Sequence, residues 1–321
     1  MLNVGIIGCG GIGRLHANAY SKGKDANLCA LIDTDIGRAE SLAAEFGGTA
    51  YPSLDGVREK LDIVSVVTPP AAHFDIVMDL LDRGIAVFCE KPLTMDVSQA
   101  KAIEKRSNET KIPVGIGFKM RYEPIFQRAK ELVPELGKIF AVSAVKNQPF
   151  DDDPNRQWIK KTGCMYELSV HDYDLIHWIL NTEPAAVRAE MDYSLGWERE
   201  NQAYLTVDYF GGIKGQLMSS YSTGTVWTGY DLALSFVGEN GYMRIERPDR
   251  IVMNTKGYRV ETVEPLGGMD VFVVQMQSFT DKVLKKEPYF PNAADGALNT
   301  ILVEAANRAH REKKKVLLND M

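Results

Sequence analysis

Cysteine is scarce. Four residues in 321, Cys9, Cys29, Cys89 and Cys164, form neither a CxxC pair nor a dense framework. That spacing excludes a disulfide-stapled secreted fold and a cysteine-based zinc site, and it fits reduced thiols in a cytoplasm. A surplus of positive charge is also missing. With 37 Lys and Arg against 43 Asp and Glu, the formal net charge is −6, so nothing draws the chain to nucleic acid or an anionic membrane. No apolar run approaches the roughly 20 residues that cross a bilayer. Met1 leads straight into the apolar stretch Val4 to Ile7, without the basic and apolar regions of a signal peptide. HExxH and GxSxG are absent too, which leaves a metalloprotease-type zinc site and serine acyl transfer without support. A small-molecule partner fits this profile.

What is present is enough apolar sequence, 45%, to fill sizeable cores, in a length that suits about two domains. From Val4 to about Gly117, short β-type runs alternate with helical patterns. The runs are Val4 to Ile7, Leu28 to Ile32, Ile63 to Val67, Val87 to Cys89 and Val114 to Ile116. They are apolar on both faces, as strands of a parallel sheet covered by helices must be. Helices are expected at Ile36 to Phe46, ending at Gly47-Gly48, at His73 to Leu81, and from an Asp96 cap to about Ser107. After Gly117 the pattern changes to a helix at Pro124 to Val133 and alternating segments. These are Ile139 to Lys146, Ala186 to Tyr193, Ala203 to Tyr209, Ile213 to Tyr221, Leu232 to Val237 and Tyr242 to Ile245. Turns such as Phe210-Gly-Gly212 join neighbouring segments, so hairpins of a mostly antiparallel sheet are predicted. A last helix spans about Ala293 to Lys313. The expected fold is α/β over residues 1–118 and α+β over 119–321, the final helix being a candidate to pack back on the first domain.

Gly8-Cys-Gly10-Gly11-Ile12-Gly13 follows the first strand and opens a helix, which is G-x-G-x-x-G in its required context. Two glycines permit a tight turn and close backbone approach to a pyrophosphate, and the third allows close packing of helix on strand. Asp33 lies 20 residues after Gly13 at the end of the next strand, where a carboxylate can accept hydrogen bonds from an adenosine ribose. It would repel a 2′-phosphate, so NAD is preferred over NADP, although Arg38 nearby is a cation that could accommodate that phosphate. A plain strand turn with Asp33 as a helix cap is the structural alternative.

Thr68-Pro69-Pro70-Ala-Ala-His73 and Glu90-Lys91-Pro92 follow the third and fourth strands, at the strand ends where doubly wound sheets bind ligands. Pro92 can occupy a cis peptide bond that aims Lys91. Beside a nicotinamide, a lysine can hold the reacting oxygen and stabilise a developing alkoxide; otherwise it is a surface lysine paired with Glu90. Farther on, Glu167-Leu-Ser-Val-His171-Asp-Tyr-Asp174-Leu-Ile-His177-Trp178 concentrates ionisable groups. As a helix it places Glu167, His171 and Asp174 on one face and Leu168, Leu175 and Ile179 on another. A carboxylate beside His171 suits a base that takes the proton of a substrate hydroxyl. A satisfied polar helix face is the alternative. His177 points elsewhere and is assigned to packing. The same His and two carboxylates could bind a divalent ion, but no supporting ligand spacing accompanies them, so no metal is expected.

Together these segments resemble the glucose-fructose oxidoreductase/inositol dehydrogenase (Gfo/Idh/MocA) family over nearly the whole chain. The resemblance is carried by Gly8 to Gly13, Asp33, Thr68-Pro-Pro to His73, Glu90-Lys91-Pro92, Gly117 to Pro124 with Arg121, and His171-Asp-Tyr-Asp174 with Trp178. Phe236 to Gly241 and Asp295 to Leu318 extend it. It implies a Rossmann domain, a C-terminal domain on a large open sheet, and hydride transfer between NAD(P) and a hydroxyl-bearing carbon of a sugar or polyol. It also implies Lys91, Glu167 and His171 as catalytic residues, and a homodimer or homotetramer formed through the C-terminal sheet. Arg121, Asp174, Arg156 and Trp158, the last two in the loop after Asp151-Asp-Asp153, are candidates to line the sugar site. Glu167 stands where inositol dehydrogenases typically have Asp, and Met120-Arg121 where two arginines are common. Competing readings are an NADP-linked reductase of a keto-sugar or other carbonyl, and an NAD-binding regulator that kept the fold without the chemistry.

Overall fold

The computed structural model describes residues 1–150, 156–222, 231–264 and 270–321, so the acidic run at 151–153 lies outside the described residues. The chain begins β1 (Leu2–Ile7), α1 (Gly11–Lys22), β2 (Ala26–Ile32), α2 (Ile36–Phe46), β3 (Thr49–Tyr51) and β4 (Ile63–Val66). It continues α3 (His73–Asp82), β5 (Ala86–Cys89), α4 (Val97–Thr110), β6 (Val114–Ile116), α5 (Pro124–Leu132), β7 (Ile139–Pro149) and α6 (Ile159–Cys164). A π-helical turn (Met165–Ser169) leads into α7 (Val170–Leu180). Then come β8 (Pro184–Asp192), β9 (Gln202–Tyr209), β10 (Lys214–Ser222), β11 (Asp231–Gly238), β12 (Gly241–Glu246), β13 (Arg250–Asn254) and β14 (Tyr258–Thr262). The last elements are α8 (Val271–Lys285), α9 (Ala293–Glu312) and β15 (Val316–Leu317). Two compact units result: Met1–Tyr122 with Gly268–Thr300, and Glu123–Gly267 with Ile301–Met321. Among the described residues, no helix is long and apolar enough to cross a membrane.

The first unit holds a six-stranded sheet in the order β3-β2-β1-β4-β5-β6, parallel throughout. β4, β5 and β6 are buried at every residue, which is why they read as unbroken apolar runs. One face of the sheet presents Val4, Ile6, Leu31, Ile63 and Phe88 to Tyr20, Leu42, Phe272, Met276 and Phe279 of α1, α2 and α8. α2 forms over the span its periodicity predicts, and Asp96 caps α4 by accepting from the Gln99 N–H at 2.9 Å. Strand order reverses between β2 and β4 on either side of β1, so the loops after β1 and β4 meet at the switch point where such sheets hold ligands.

The second unit holds a nine-stranded sheet in the order β14-β13-β12-β11-β7-β10-β9-β8-β15. Among the described residues only β7 and β10 pair in parallel, so the sheet is mixed and mostly antiparallel. Along β9 burial alternates, Ala203, Leu205 and Val207 facing inward. Register carries the opposite parity across the sheet from Tyr204 through Met218, Val145 and Ala141 to Val237, Tyr242 and Tyr258. Tyr204, Val237, Tyr242 and Tyr258 are all exposed.

Candidate active site

At the end of β1 the backbone turns through Gly8 at φ +103°. A Cβ there would stand 2.7 Å from the Val67 carbonyl oxygen, and one on Gly13 would stand 2.0 Å from the Gly8 carbonyl oxygen. Both positions therefore require glycine. At Gly10 and Gly11 a Cβ would meet nothing within 4 Å, so this part of the loop offers bare backbone to a ligand. Gly10 begins α1 with no side-chain cap, and the first turn carries no acid. The N–H groups and positive end of that helix are left to an anion. Ile12 in the same turn is exposed, and Thr68 Oγ1 is buried with no hydrogen-bond partner among the described residues.

Asp33 is fixed against this loop. Its Oδ2 accepts from the Cys9 N–H at 2.8 Å and its Oδ1 from the Asp35 N–H at 2.9 Å. A carboxylate has about four acceptor sites, so capacity remains for ribose hydroxyls. The bare glycine backbone, uncapped helix start and braced acid fit a dinucleotide with an unsubstituted ribose. Arg38 is exposed and lies 3.3 Å from Asp35 Oδ2, an i,i+3 ion pair on α2 and its cap.

The loops after β4 and β5 are joined by His73. Its ring is fully buried, with Nδ1 2.9 Å from the Pro92 carbonyl oxygen and Nε2 2.8 Å from that of Thr68. Burial holds its pKa below the ordinary value, although the Thr68 and Pro92 carbonyls favour the charged ring. Pro69 is exposed, and the Lys91–Pro92 peptide is cis. Glu90 turns inward: Oε1 lies 3.1 Å from His16 Nε2, and Oε2 accepts from the Lys91 N–H at 3.1 Å. Arg121 is buried and donates to Asp295 Oδ1 at 2.8 Å.

In the second unit Glu167 and His171 do not share one regular α-helix as the spacing predicts. Met165–Ser169, which holds Glu167, is π-helical, and α7 starts at Val170 with His171 and Asp174. The wider turn is matched by an unusual partner, since buried Lys146 on β7 donates to the Leu168 carbonyl at 3.1 Å and lies 3.3 Å from Asp172 Oδ1. Burial raises the Asp172 pKa and Lys146 opposes it. Glu167 is half-buried, while His171 and Asp174 are buried. π-turns of this kind occur often at functional sites. His177 donates from Nδ1 to the Thr182 carbonyl oxygen, 2.8 Å away, at the C-terminal end of α7. Trp158, 40% exposed, stands just before α6, and Arg156 is half-buried.

His16, Lys146 and Glu200 were not among the residues singled out by sequence. Lys146 had a signal, because it occupies the inward parity of β7 with Val142 and Ala144. His16, three residues after Gly13, had one in its place on the sheet-facing side of α1. Glu200 had none.

Known proteins agree with this architecture. Residues 2–118 match the oxidoreductase family with an NAD-binding Rossmann fold, GFO_IDH_MocA, and residues 126–244 match the GFO/IDH/MocA C-terminal domain. The chain belongs to the GFO/IDH/MocA family. It is an oxidoreductase, and its cofactor is NAD. Inositol 2-dehydrogenase of Rhizobium meliloti is 28% identical over 97% of this chain and 98% of the relative. scyllo-Inositol 2-dehydrogenase (NAD(+)) of Bacillus subtilis is 24% identical over 98% of this chain and 95% of its own. An oxidoreductase from Agrobacterium radiobacter, solved with NAD+, L-tartaric acid and magnesium, shares the fold with a TM-score of 0.90 at 20% identity, covering 100% and 99% of the two chains.

Proposed function

We propose that this family member is an NAD-dependent dehydrogenase of a sugar or polyol, oxidising a CH–OH group or running the reverse reduction. The observation that carries the reading is Asp33, braced on the glycine loop by Cys9 and Asp35, where its charge disfavours a 2′-phosphate. Inositol dehydrogenases among the relatives, matching over nearly their whole length, support the substrate class.

Bound NAD supplies the hydride acceptor. Gly8, Gly10, Gly11, Ile12 and Gly13 cradle its phosphates, Asp33 takes the ribose, and Thr68, Pro69, His73 and Glu90 shape the adjoining loops. Lys91 holds the reacting oxygen. His171 accepts the hydroxyl proton, and Glu167 orients His171 and stabilises its charged form. Arg121, Trp158 and Asp174 belong to the substrate side of the proposal. For Arg121 that role would be indirect, because its guanidinium is held by Asp295.

The test follows absorbance at 340 nm with NAD or NADP and a panel of inositols, aldoses, deoxy sugars and sugar acids. Reduction of NAD by one of these, faster than of NADP, is the expected result. Tight NAD binding with no turnover in either direction would favour the regulator reading. We place the protein in the cytoplasm as a homodimer or homotetramer associated through the open sheet face that carries Tyr204, Val237, Tyr242 and Tyr258. Light scattering is expected to give a mass at least twice the chain's 35.7 kDa; a monomer at micromolar concentration would contradict this.

A further inference from the structure

Behind the glycine loop a fully buried histidine meets a nearly buried carboxylate. His16 projects from the first turns of α1 with Phe88 and Phe272 against its ring, at centroid distances of 5.7 Å each. Its Nε2 lies 3.1 Å from Glu90 Oε1, and the Glu90 side chain is 14% exposed. The other oxygen of that carboxylate accepts the N–H of Lys91. Gly117, at the end of β6, leaves the space the carboxylate fills, since a Cβ there would stand 2.7 Å from all three carboxyl atoms. One carboxylate thus ties the helix that carries the glycine loop to the backbone of Lys91.

We infer that His16 is a positioning residue for Lys91, acting through Glu90: the imidazole orients the carboxylate so that its second oxygen fixes the Lys91 backbone. The inference rests on the assignment of Lys91 to the reacting oxygen. A polar histidine buried among aromatics is costly unless it holds a specific partner, and a carboxylate shared by two donors has a defined orientation that one donor would not impose. The charged and titratable groups facing Glu90 are His16 on α1, Lys91 and Cys89 at the end of β5, Lys119 after β6 and His73 on α3. Burial by itself would raise the Glu90 carboxyl. The hydrogen bond from His16 and the charges of His16, Lys91 and Lys119 more than offset it and keep the group below its ordinary pKa.

The experiment compares wild type, His16→Leu, His16→Gln, Glu90→Gln and Lys91→Ala with the polyol or sugar that wild type turns over. His16→Leu is expected to lower kcat about a hundredfold, as a displacement of a reacting group by about 1 Å does, with NAD affinity by calorimetry within about threefold. The loss should fall on kcat rather than on KM, because the displaced group acts on the reacting oxygen. His16→Gln restores a donor and should recover most of kcat. Wild-type kcat in His16→Leu overturns the inference. So does an equal loss of kcat in His16→Leu and His16→Gln. Should His16→Leu fold poorly, Glu90→Gln carries the test: reduced kcat with KM little changed is expected, and wild-type kcat overturns it. Crystals of His16→Leu read the same point without turnover, since the carboxylate should leave the Lys91 N–H, and an unchanged 3.1 Å contact contradicts the proposal. If Lys91→Ala is fully active, the Lys91 assignment itself fails. If it is inactive while the His16 and Glu90 variants behave as wild type, only the present inference fails.

Discussion

Glu200 is 1% exposed, and its carboxyl is used on one side only. Oε1 accepts from the Met165 N–H at 3.0 Å, while Oε2 has no partner among the described residues. Gly163, at φ +80°, makes room for it, as a Cβ there would lie 2.4 Å from Oε1. Burial pushes the Glu200 pKa up to about 7, with the Met165 N–H opposing. Between the ordinary carboxylate range and about pH 7 the folded protein keeps a proton that the unfolded chain has released. Stability from this group is therefore fully present below the unfolded pKa and is lost as pH rises through about 7. Glu200→Gln stays neutral and should lack that slope. Urea unfolding at pH 5 and pH 8 should show it more stable than wild type at the higher pH, by up to about 3 kcal/mol. An identical pH slope in the two proteins would mean that Glu200 is not the group responsible.

Lys146 ties the π-turn and α7 to the sheet beneath. Lys146 neutralises Asp172 and takes the Leu168 carbonyl, and both side chains of the pair are almost fully buried. Removing one partner leaves an uncompensated buried charge, so Lys146→Met should cost about 3–5 kcal/mol in chemical denaturation. Lys146→Met/Asp172→Leu should recover most of that loss, because paired apolar replacements avoid the orphaned charge. A double variant no better than the single one would contradict this account. Such elements also explain what was legible in the sequence. α2 and the buried strands of the first sheet announce themselves through apolar period and caps, which local chemistry fixes. β14 does not, because Tyr258–Thr262 is an almost wholly exposed edge with no inward face to set a pattern. α8 opens with Val271-Phe-Val-Val274, a β-type run that becomes helical once Phe272, Met276 and Phe279 pack on α1 and the sheet. The π-turn depends on Lys146 from a distant strand, so spacing alone suggested a single α-helix.

For the whole molecule, the legible part is the order of motifs along the chain: glycine loop and acid, Thr68 and Lys91 loops, then the His171 segment. Each is local in sequence. What supports them is not, for His16 and Glu90 are 74 residues apart and Arg121 and Asp295 are 174 apart. Chain topology also hid the return of α8 and the stretch to Tyr289 to the first unit, where Phe272, Met276, Phe279 and Tyr289 complete its core. The account as a whole depends on Lys91 acting on the reacting oxygen while the glycine loop and Asp33 bind NAD independently of it. The direct measurement is steady-state turnover and calorimetric NAD affinity of wild type against Lys91→Ala. The prediction is a kcat lower by at least about a hundredfold with NAD affinity within about threefold, since the lost interaction strengthens only in the transition state. Turnover close to wild type, or NAD affinity lost in parallel with kcat, would contradict it.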